Sequence, residues 1–202
     1  MNNQALVHVI DDDDGVRESL RFLLESAGLT VHAHASAEAF LAADLDPAGC
    51  VLTDIRLPGM DGMELLRRLP AQGVRLPVIV MTGHADVPLA VQAMKAGAID
   101  FLEKPFSEEA LIAAVERAQE ASRRISDSTA QAQQAHARLA TLTRRERQVF
   151  DLLVQGLANK AIARALDASP RTIEVHRGRV MEKLSAHSLP DLVRLAQTAD
   201  GA

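Results

Sequence analysis

The sequence predicts two modules: an α/β doubly wound five-stranded parallel sheet, then an all-α unit of four short helices. Three observations carry this. Short apolar runs alternate with helix-patterned stretches through residues 1–120. From Thr143 onward only helix-period stretches remain. The charge also changes sign: residues 1–120 hold 9 Lys and Arg against 19 Asp and Glu, a net −10, and residues 121–202 hold 13 against 8, a net +5.

In chain order, the run Ala5–Ile10 reads as the first strand. Asp14–Ser26 places Val16, Leu20, Leu23 and Leu24 on one helical face, and Gly28 stops it. Thr30–His34 is a short strand, and Ser36 caps a helix expected to reach about Asp44. Strand Cys50–Thr53 precedes helix Gly62–Leu69, which is expected to stop at Pro70. Strand Val78–Met81 precedes helix Val87–Ala96, closed by Gly97. Strand Ile99–Glu103 precedes a helix opened by Ser107, with Glu108 and Glu109 suited to its positive end.

Residues 121–140 are rich in Ala, Gln and Arg and favour helix. Leu111, Val115, Ala118, Ser122, Ile125, Thr129, Ala132, His136 and Leu139 form a heptad-like seam weakened by its polar members. A solvated or frayed helical linker is preferred over a partner-pairing helix, with Asp127–Ser128–Thr129 the expected break. Then Thr143-Arg144-Arg145-Glu146 forms a capping box, and its helix ends near Gly156. Asn159–Leu166 is the second helix of this module. Ser169-Pro170 opens the third, running to about Leu184, and Ser188-Leu189-Pro190-Asp191 opens the fourth.

Bulk features exclude several classes. No apolar run approaches the roughly 20 residues of a membrane span. Met1–Asn2–Asn3–Gln4 lacks the basic region of a signal peptide. The single Cys50 rules out an internal disulfide or a multi-cysteine metal site, which fits the cytoplasm. With no Trp or Tyr and four of five Phe in the first half, a base-stacking platform in the second half is not expected.

Four strand ends carry polar residues of different kinds: Asp11–Asp12, Asp54, Thr82 and Lys104. In a parallel sheet these ends converge on one mouth, where such folds bind ligands. Three carboxylates, a hydroxyl and an ammonium suit a divalent cation and a phosphoryl group beside a nucleophilic acid. Asp54 is the expected nucleophile and phosphoacceptor, Thr82 the donor to a phosphoryl oxygen, and Lys104 its counter-charge. Taken alone, Asp11–Asp14 reads as a solvated turn capping a helix, and Lys104 as a surface lysine. His84 near the mouth reads as a solvated loop histidine.

The pair Asp11–Asp12, with Asp54, Pro58-Gly59-Met60-Asp61-Gly62, Thr82-Gly83 and Lys104-Pro105-Phe106, resembles the signature of response-regulator receiver domains over about residues 5–120. The resemblance implies a flavodoxin-like fold and phosphorylation of Asp54 by a partner sensor histidine kinase. It implies Mg2+ held by Asp11, Asp12, Asp54 and the backbone carbonyl of Arg56. It also implies a cis Lys104–Pro105 peptide, and a switch in which Thr82 follows the phosphoryl group while Phe101 swings inward.

Residues 139–202, joined to the receiver by a linker over 121–138, contain a second resemblance. Leu142-Thr143-Arg144-Arg145-Glu146-Arg147, Gly156, Asn159-Lys160, Ile162-Ala163, Ser169-Pro170-Arg171-Thr172-Ile173-Glu174-Val175-His176 and Lys183-Leu184 resemble the LuxR-type helix-turn-helix of the NarL/FixJ class. Motifs of the first module, including Met94-Lys95-Ala96-Gly97-Ala98, point within that class to FixJ-like regulators.

Periodicity supports a DNA-reading third helix independently. Ile173, Val180 and Leu184 form its inner stripe, opposite Arg171, Val175, Gly178, Arg179 and Glu182. An outward Val beside a Gly suits major-groove contact with a thymine methyl and close backbone approach. Glu174 can accept from cytosine, and Arg171, Arg179 and Lys183 can meet phosphate or guanine. Thr172 and His176 lie on the same helix, and Lys160 begins the second helix near phosphate.

The expected function is a two-component, phosphorylation-switched transcription regulator that forms a homodimer on phosphorylation and binds double-stranded DNA, with no membrane attachment. Two alternatives are an aspartyl-phosphate enzyme and a phosphorelay protein that does not bind DNA. The enzyme is disfavoured by Arg56, which stands two residues after Asp54 where such enzymes keep an acid.

Overall fold

A computed structural model describes residues 6–43, 45, 48–83 and 87–201. Ala5, Asp44 and His84 lie outside the described residues. The chain divides into two compact units, Met1–Ser126 and Asp127–Ala202.

In the first unit, strands β1 Leu6–Ile10, β2 Thr30–His34, β3 Gly49–Asp54, β4 Val78–Thr82 and β5 Asp100–Glu103 form one parallel sheet in the order β2-β1-β3-β4-β5. Helices α1 Asp14–Ser26, α2 Ala37–Leu41, α3 Gly62–Ala71, α4 Val87–Lys95 and α5 Glu108–Leu139 follow the strands in turn. The middle strands β1, β3 and β4 are buried on both faces, which is why they are nearly continuous apolar runs, broken in β1 by the buried His8, rather than alternating ones.

Each face has its own core. Val7, Val9, Cys50, Leu52, Ile79 and Met81 pack with Leu20 and Leu24 of α1 and with Leu111, Val115 and Ala118 of α5. Ile10, Val51, Val78 and Val80 pack with Phe40 of α2, Leu65, Leu66 and Leu69 of α3, and Ala93 of α4.

Several helix limits differ from expectation. α2 ends at Leu41, short of Asp44. α3 continues through Pro70 to Ala71, because a proline in the last turn loses one hydrogen bond without ending the coil. The expected break at Asp127–Ser128–Thr129 is absent: α5 is helical from Glu108 to Leu139. The Ala- and Gln-rich composition outweighs the short polar interruption.

The heptad-like seam of α5 is also corrected. Leu111, Val115 and Ala118 belong to the sheet core, and the buried Ser122 Oγ accepts from Gly49 N at 3.2 Å. Ala135 and Leu139 belong to the core of the second unit, and Ala135 rather than His136 faces inward there. The pattern therefore reflects packing within this chain.

The second unit adds α6 Arg144–Val154, α7 Asn159–Ala165, α8 Pro170–Lys183 and α9 Leu189–Asp200. Val149, Phe150, Leu153, Ile162, Ile173, Val180, Leu184 and Leu192 form its core. The Thr143–Glu146 capping box is present, and Ser169 Oγ accepts from Thr172 N at 3.1 Å at the start of α8. Among the described residues no helix is long and apolar enough to cross a membrane.

Candidate functional site

β1 and β3 are neighbours, with Ile10 opposite Thr53, so Asp11 and Asp54 emerge side by side at the carboxyl edge. This is the point where the strand order turns outward in both directions, and it is where such sheets bind ligands. Asp11 is 2% exposed and Asp54 9%. Lys104, just beyond β5, reaches between them. Its Nζ donates to Asp11 Oδ2 at 2.7 Å and also to Asp54 Oδ2.

The other carboxylate oxygens are held by backbone. Asp11 Oδ1 accepts from Asp13 N at 3.0 Å, and Asp54 Oδ1 accepts from Arg56 N at 2.8 Å. Burial alone would lower the Lys104 pKa, but hydrogen bonds to Asp11 and Asp54 carry it above its ordinary value. The ammonium is therefore charged, and it offsets the repulsion between the two acids.

Thr82 is fully buried at the end of β4, adjacent to β3, and its carbonyl accepts from Lys104 N at 2.7 Å. The Lys104–Pro105 peptide is cis. Phe101 lies half-buried on β5 opposite Val80, at the margin of the α2–α3–α4 core.

Of the three carboxylates expected to converge, Asp11 and Asp54 are the buried pair. Asp12 is exposed, and among the described residues no three acidic, imidazole or thiol side chains are grouped around a metal position. The cause is local: Asp11 turns into the sheet edge while Asp13 caps α1, its Oδ1 accepting from Val16 N at 3.0 Å. The capping and site readings thus apply to different members of one acidic run. Two buried carboxylates remain compatible with Mg2+, which takes hard oxygens, uses one or two carboxylates and keeps several waters. The ammonium held between them shows a position suited to positive charge.

Two contacts at this mouth carried no signal in the sequence. Arg17 donates to the Asp11 carbonyl at 2.6 Å, and Thr53 Oγ1 donates to the Asp54 carbonyl at 3.1 Å. Both serve backbone groups, which leave no periodicity or spacing to read.

On α8, Arg171, Thr172, Glu174, Val175, Gly178 and Arg179 are exposed, with Val175 at 50%. A Cβ added at Gly178 would meet nothing within 4 Å, so packing within the chain does not require this glycine. Lys160 is exposed at the start of α7. Two further expected members have particular surroundings. His176 is half-buried, and its enclosed Nδ1 has no hydrogen-bond partner among the described residues. Lys183 is exposed, and its ammonium donates to Glu146 Oε2 at 2.7 Å and to the Thr141 carbonyl at 3.2 Å. A buried carboxylate needs a paired cation, and Lys183 supplies it. That hydrogen bond, with one from Thr143, holds the Glu146 carboxyl down to about 2.

A paired-acid mouth on a parallel 2-1-3-4-5 sheet, followed by a helical unit with an open basic helix face, defines the class of switchable DNA-binding regulators. Residues 7–116 match the family described as response regulator receiver domain, and residues 140–196 match bacterial regulatory proteins of the luxR family. The chain is 57% identical over 200 residues to the transcriptional regulatory protein FixJ of Azorhizobium caulinodans, covering 96% of this chain and 92% of that protein. The solved response regulator StyR superposes with a TM-score of 0.78 at 42% identity, covering 96% of this chain and 98% of that one. Full-length FixJ from B. japonicum superposes with a TM-score of 0.60 at 52% identity, covering 98% of each. This chain belongs to the FixJ-like, two-component response regulators acting on transcription. It is a regulator rather than a conventional enzyme, and its class implies a sensor kinase and DNA as partners.

Proposed function

We propose that Asp54 is the phosphoacceptor of a receiver domain, residues 5–120, which controls sequence-specific DNA binding by residues 139–202 in the cytoplasm. The observation that carries this is the Lys104 ammonium bridging buried Asp11 and Asp54 at the sheet's switch point. Asp54 Oδ1 accepts from Arg56 N and Oδ2 from Lys104, and Oδ2 becomes the attacking oxygen as Lys104 turns to the incoming phosphoryl group.

In the transfer, Oδ2 forms a bond to the phosphorus of a phosphohistidine on the sensor kinase, and the phosphorus–nitrogen bond breaks toward the histidine. Asp11, Asp54 and the Arg56 carbonyl, with Asp12 at the exposed rim, would hold Mg2+, which would supply positive charge to the phosphoryl oxygens. Lys104 exchanges its carboxylate contacts for the new phosphoryl charge. Thr82 supplies a hydroxyl to a phosphoryl oxygen, and Phe101 responds at the neighbouring strand. The carboxylates and Lys104 thus form one arrangement before transfer and another after it, the basis of a two-state shift.

The output is a homodimer that places two α8 helices on a two-fold DNA site. Val175 reads a thymine methyl, Gly178 permits close approach, and Arg171, Thr172, Glu174 and Arg179 flank them. Lys160 meets phosphate. Lys183, exposed beside this face, and His176, half-buried on the same helix, are the remaining proposed contacts.

The test is DNA binding by the full chain before and after treatment with acetyl phosphate and Mg2+, followed by anisotropy with parallel light scattering. The expected result is a phosphate-dependent gain in affinity together with a doubling of mass. Tight DNA binding indifferent to phosphorylation would contradict the proposed switch.

A further inference from the structure

The stretch from Ile55 to Asp61 carries the Arg56 carbonyl and leads from Asp54 to α3. Its two ends are closed by backbone: Gly62 N donates to the Ile55 carbonyl at 3.0 Å, and a side chain at Gly62 would overlap the Asp54 carbonyl. Ile55, Leu57 and Met60 share the core cluster of Ala37 and Phe40 on α2. The middle is tied by a side chain from outside the stretch. Glu38 Oε1, on α2, accepts from Met60 N at 2.9 Å.

Gly59 shows how close this contact is. It has φ +79, and a Cβ there would lie 2.7 Å from Glu38 Oε1. The turn therefore needs a glycine both for its backbone and for the carboxylate beside it. Glu38 stays ionised, because its own backbone N–H and that of Met60 hold its carboxyl below the usual range.

We propose that Glu38 is a positioning residue for the Mg2+ and phosphoacceptor site. Through Met60 N–H, its carboxylate fixes the turn that presents the Arg56 carbonyl beside Asp54. Glu38 touches none of the reacting atoms; it acts through the backbone, as outer residues of metal sites orient the ligands. This rests on the reading of Asp54, Asp11 and Arg56 as the Mg2+ holders.

The test compares the full chain with Glu38→Ala and with Glu38→Gln, which keeps the accepting oxygen. Three quantities are measured: Met60 amide exchange by NMR, the Mg2+ dissociation constant by calorimetry, and the Mg2+ dependence of labelling by acetyl phosphate. Glu38→Ala is expected to speed Met60 exchange and to weaken Mg2+ binding by about tenfold. The half-saturating Mg2+ for labelling should move by the same factor, while the rate at saturating Mg2+ stays within about twofold. Glu38→Gln should resemble the wild type. Faster Met60 exchange with an unchanged Mg2+ constant would overturn this proposal alone. A wild type that takes up no Mg2+ would overturn the underlying site reading as well.

Discussion

Lys104 Nζ donates to Asp11 Oδ2 at 2.7 Å, joining two residues 93 positions apart. The same ammonium reaches Asp54, so one cation holds two buried acids at the sheet edge. Replacing it with Gln or Met leaves those acids facing each other without a counter-charge. Lys104→Met is expected to lower the receiver melting temperature without Mg2+ and to slow labelling by acetyl phosphate by about tenfold or more. Mg2+ should then raise the melting temperature of the variant more than that of the wild type. Calorimetry with and without Mg2+ checks this, and equal increments would count against the shared-charge account.

Gly178 gives opposite expectations for stability and for function. A Cβ there meets nothing within 4 Å. Gly178→Ala should therefore stabilise α8 by up to about 1 kcal/mol. In the proposed DNA complex the added methyl would meet the duplex, so affinity should fall. Thermal melts and anisotropy on the same protein separate the two effects. Unchanged or tighter DNA binding would remove Gly178 from the interface.

The side chains around α8 should also divide by role. Lys160→Ala should weaken DNA binding across sequences and reduce the salt slope by about one. Val175→Ala should change sequence preference instead. Titrations on several duplexes at several salt concentrations discriminate between these patterns.

Glu146 makes the second unit acid-sensitive in a defined window. Its carboxyl is held at about 2, against an ordinary 4.5, mainly by the hydrogen bond from Lys183. A depressed carboxyl contributes stability that is fully present above the unfolded value and lost as pH falls through the folded one. The wild-type contribution is therefore whole above 4.5 and fades toward about 2. Lys183→Met should shift acid unfolding of this unit to higher pH, as followed by circular dichroism. An unmoved acid transition would contradict the pairing.

A histidine pair makes the first unit sensitive at milder pH. His8 Nδ1 and His34 Nε2 are 3.1 Å apart, with Phe40 edge-on to both rings. Burial, then the neighbouring His32, lowers the His34 pKa below 6.5. The unfolded chain binds the proton more readily, so receiver stability should be full above 6.5 and decline as pH falls below it. His34→Gln should flatten that decline in a melting-temperature series.

The sheet was legible because β1, β3 and β4 are buried on both faces and each ends at, or just before, a polar residue. The second unit was legible from its caps, since Thr143–Glu146 and Ser169-Pro170 mark helix starts by local chemistry alone. The continuous α5 was not, because its seam mixes core positions of two units with polar residues such as Ser122, whose partner Gly49 is 73 positions away. The Glu146 partner of Lys183 was not legible for a related reason. Helical phase places Lys183 beside the open face, where it is exposed, and carries no sign of its ion pair with the buried Glu146 on α6. Glu38 carried no signal, since its partner is a backbone N–H.

The central claim is that charge is stored at Asp54. The most direct measurement is site mapping by mass spectrometry after treating the full chain with acetyl phosphate and Mg2+, beside Asp54→Asn. The account predicts one phosphoryl group, mapped to Asp54 in the wild type and absent from the variant. A phosphoryl group elsewhere, or equal incorporation in Asp54→Asn, would contradict it.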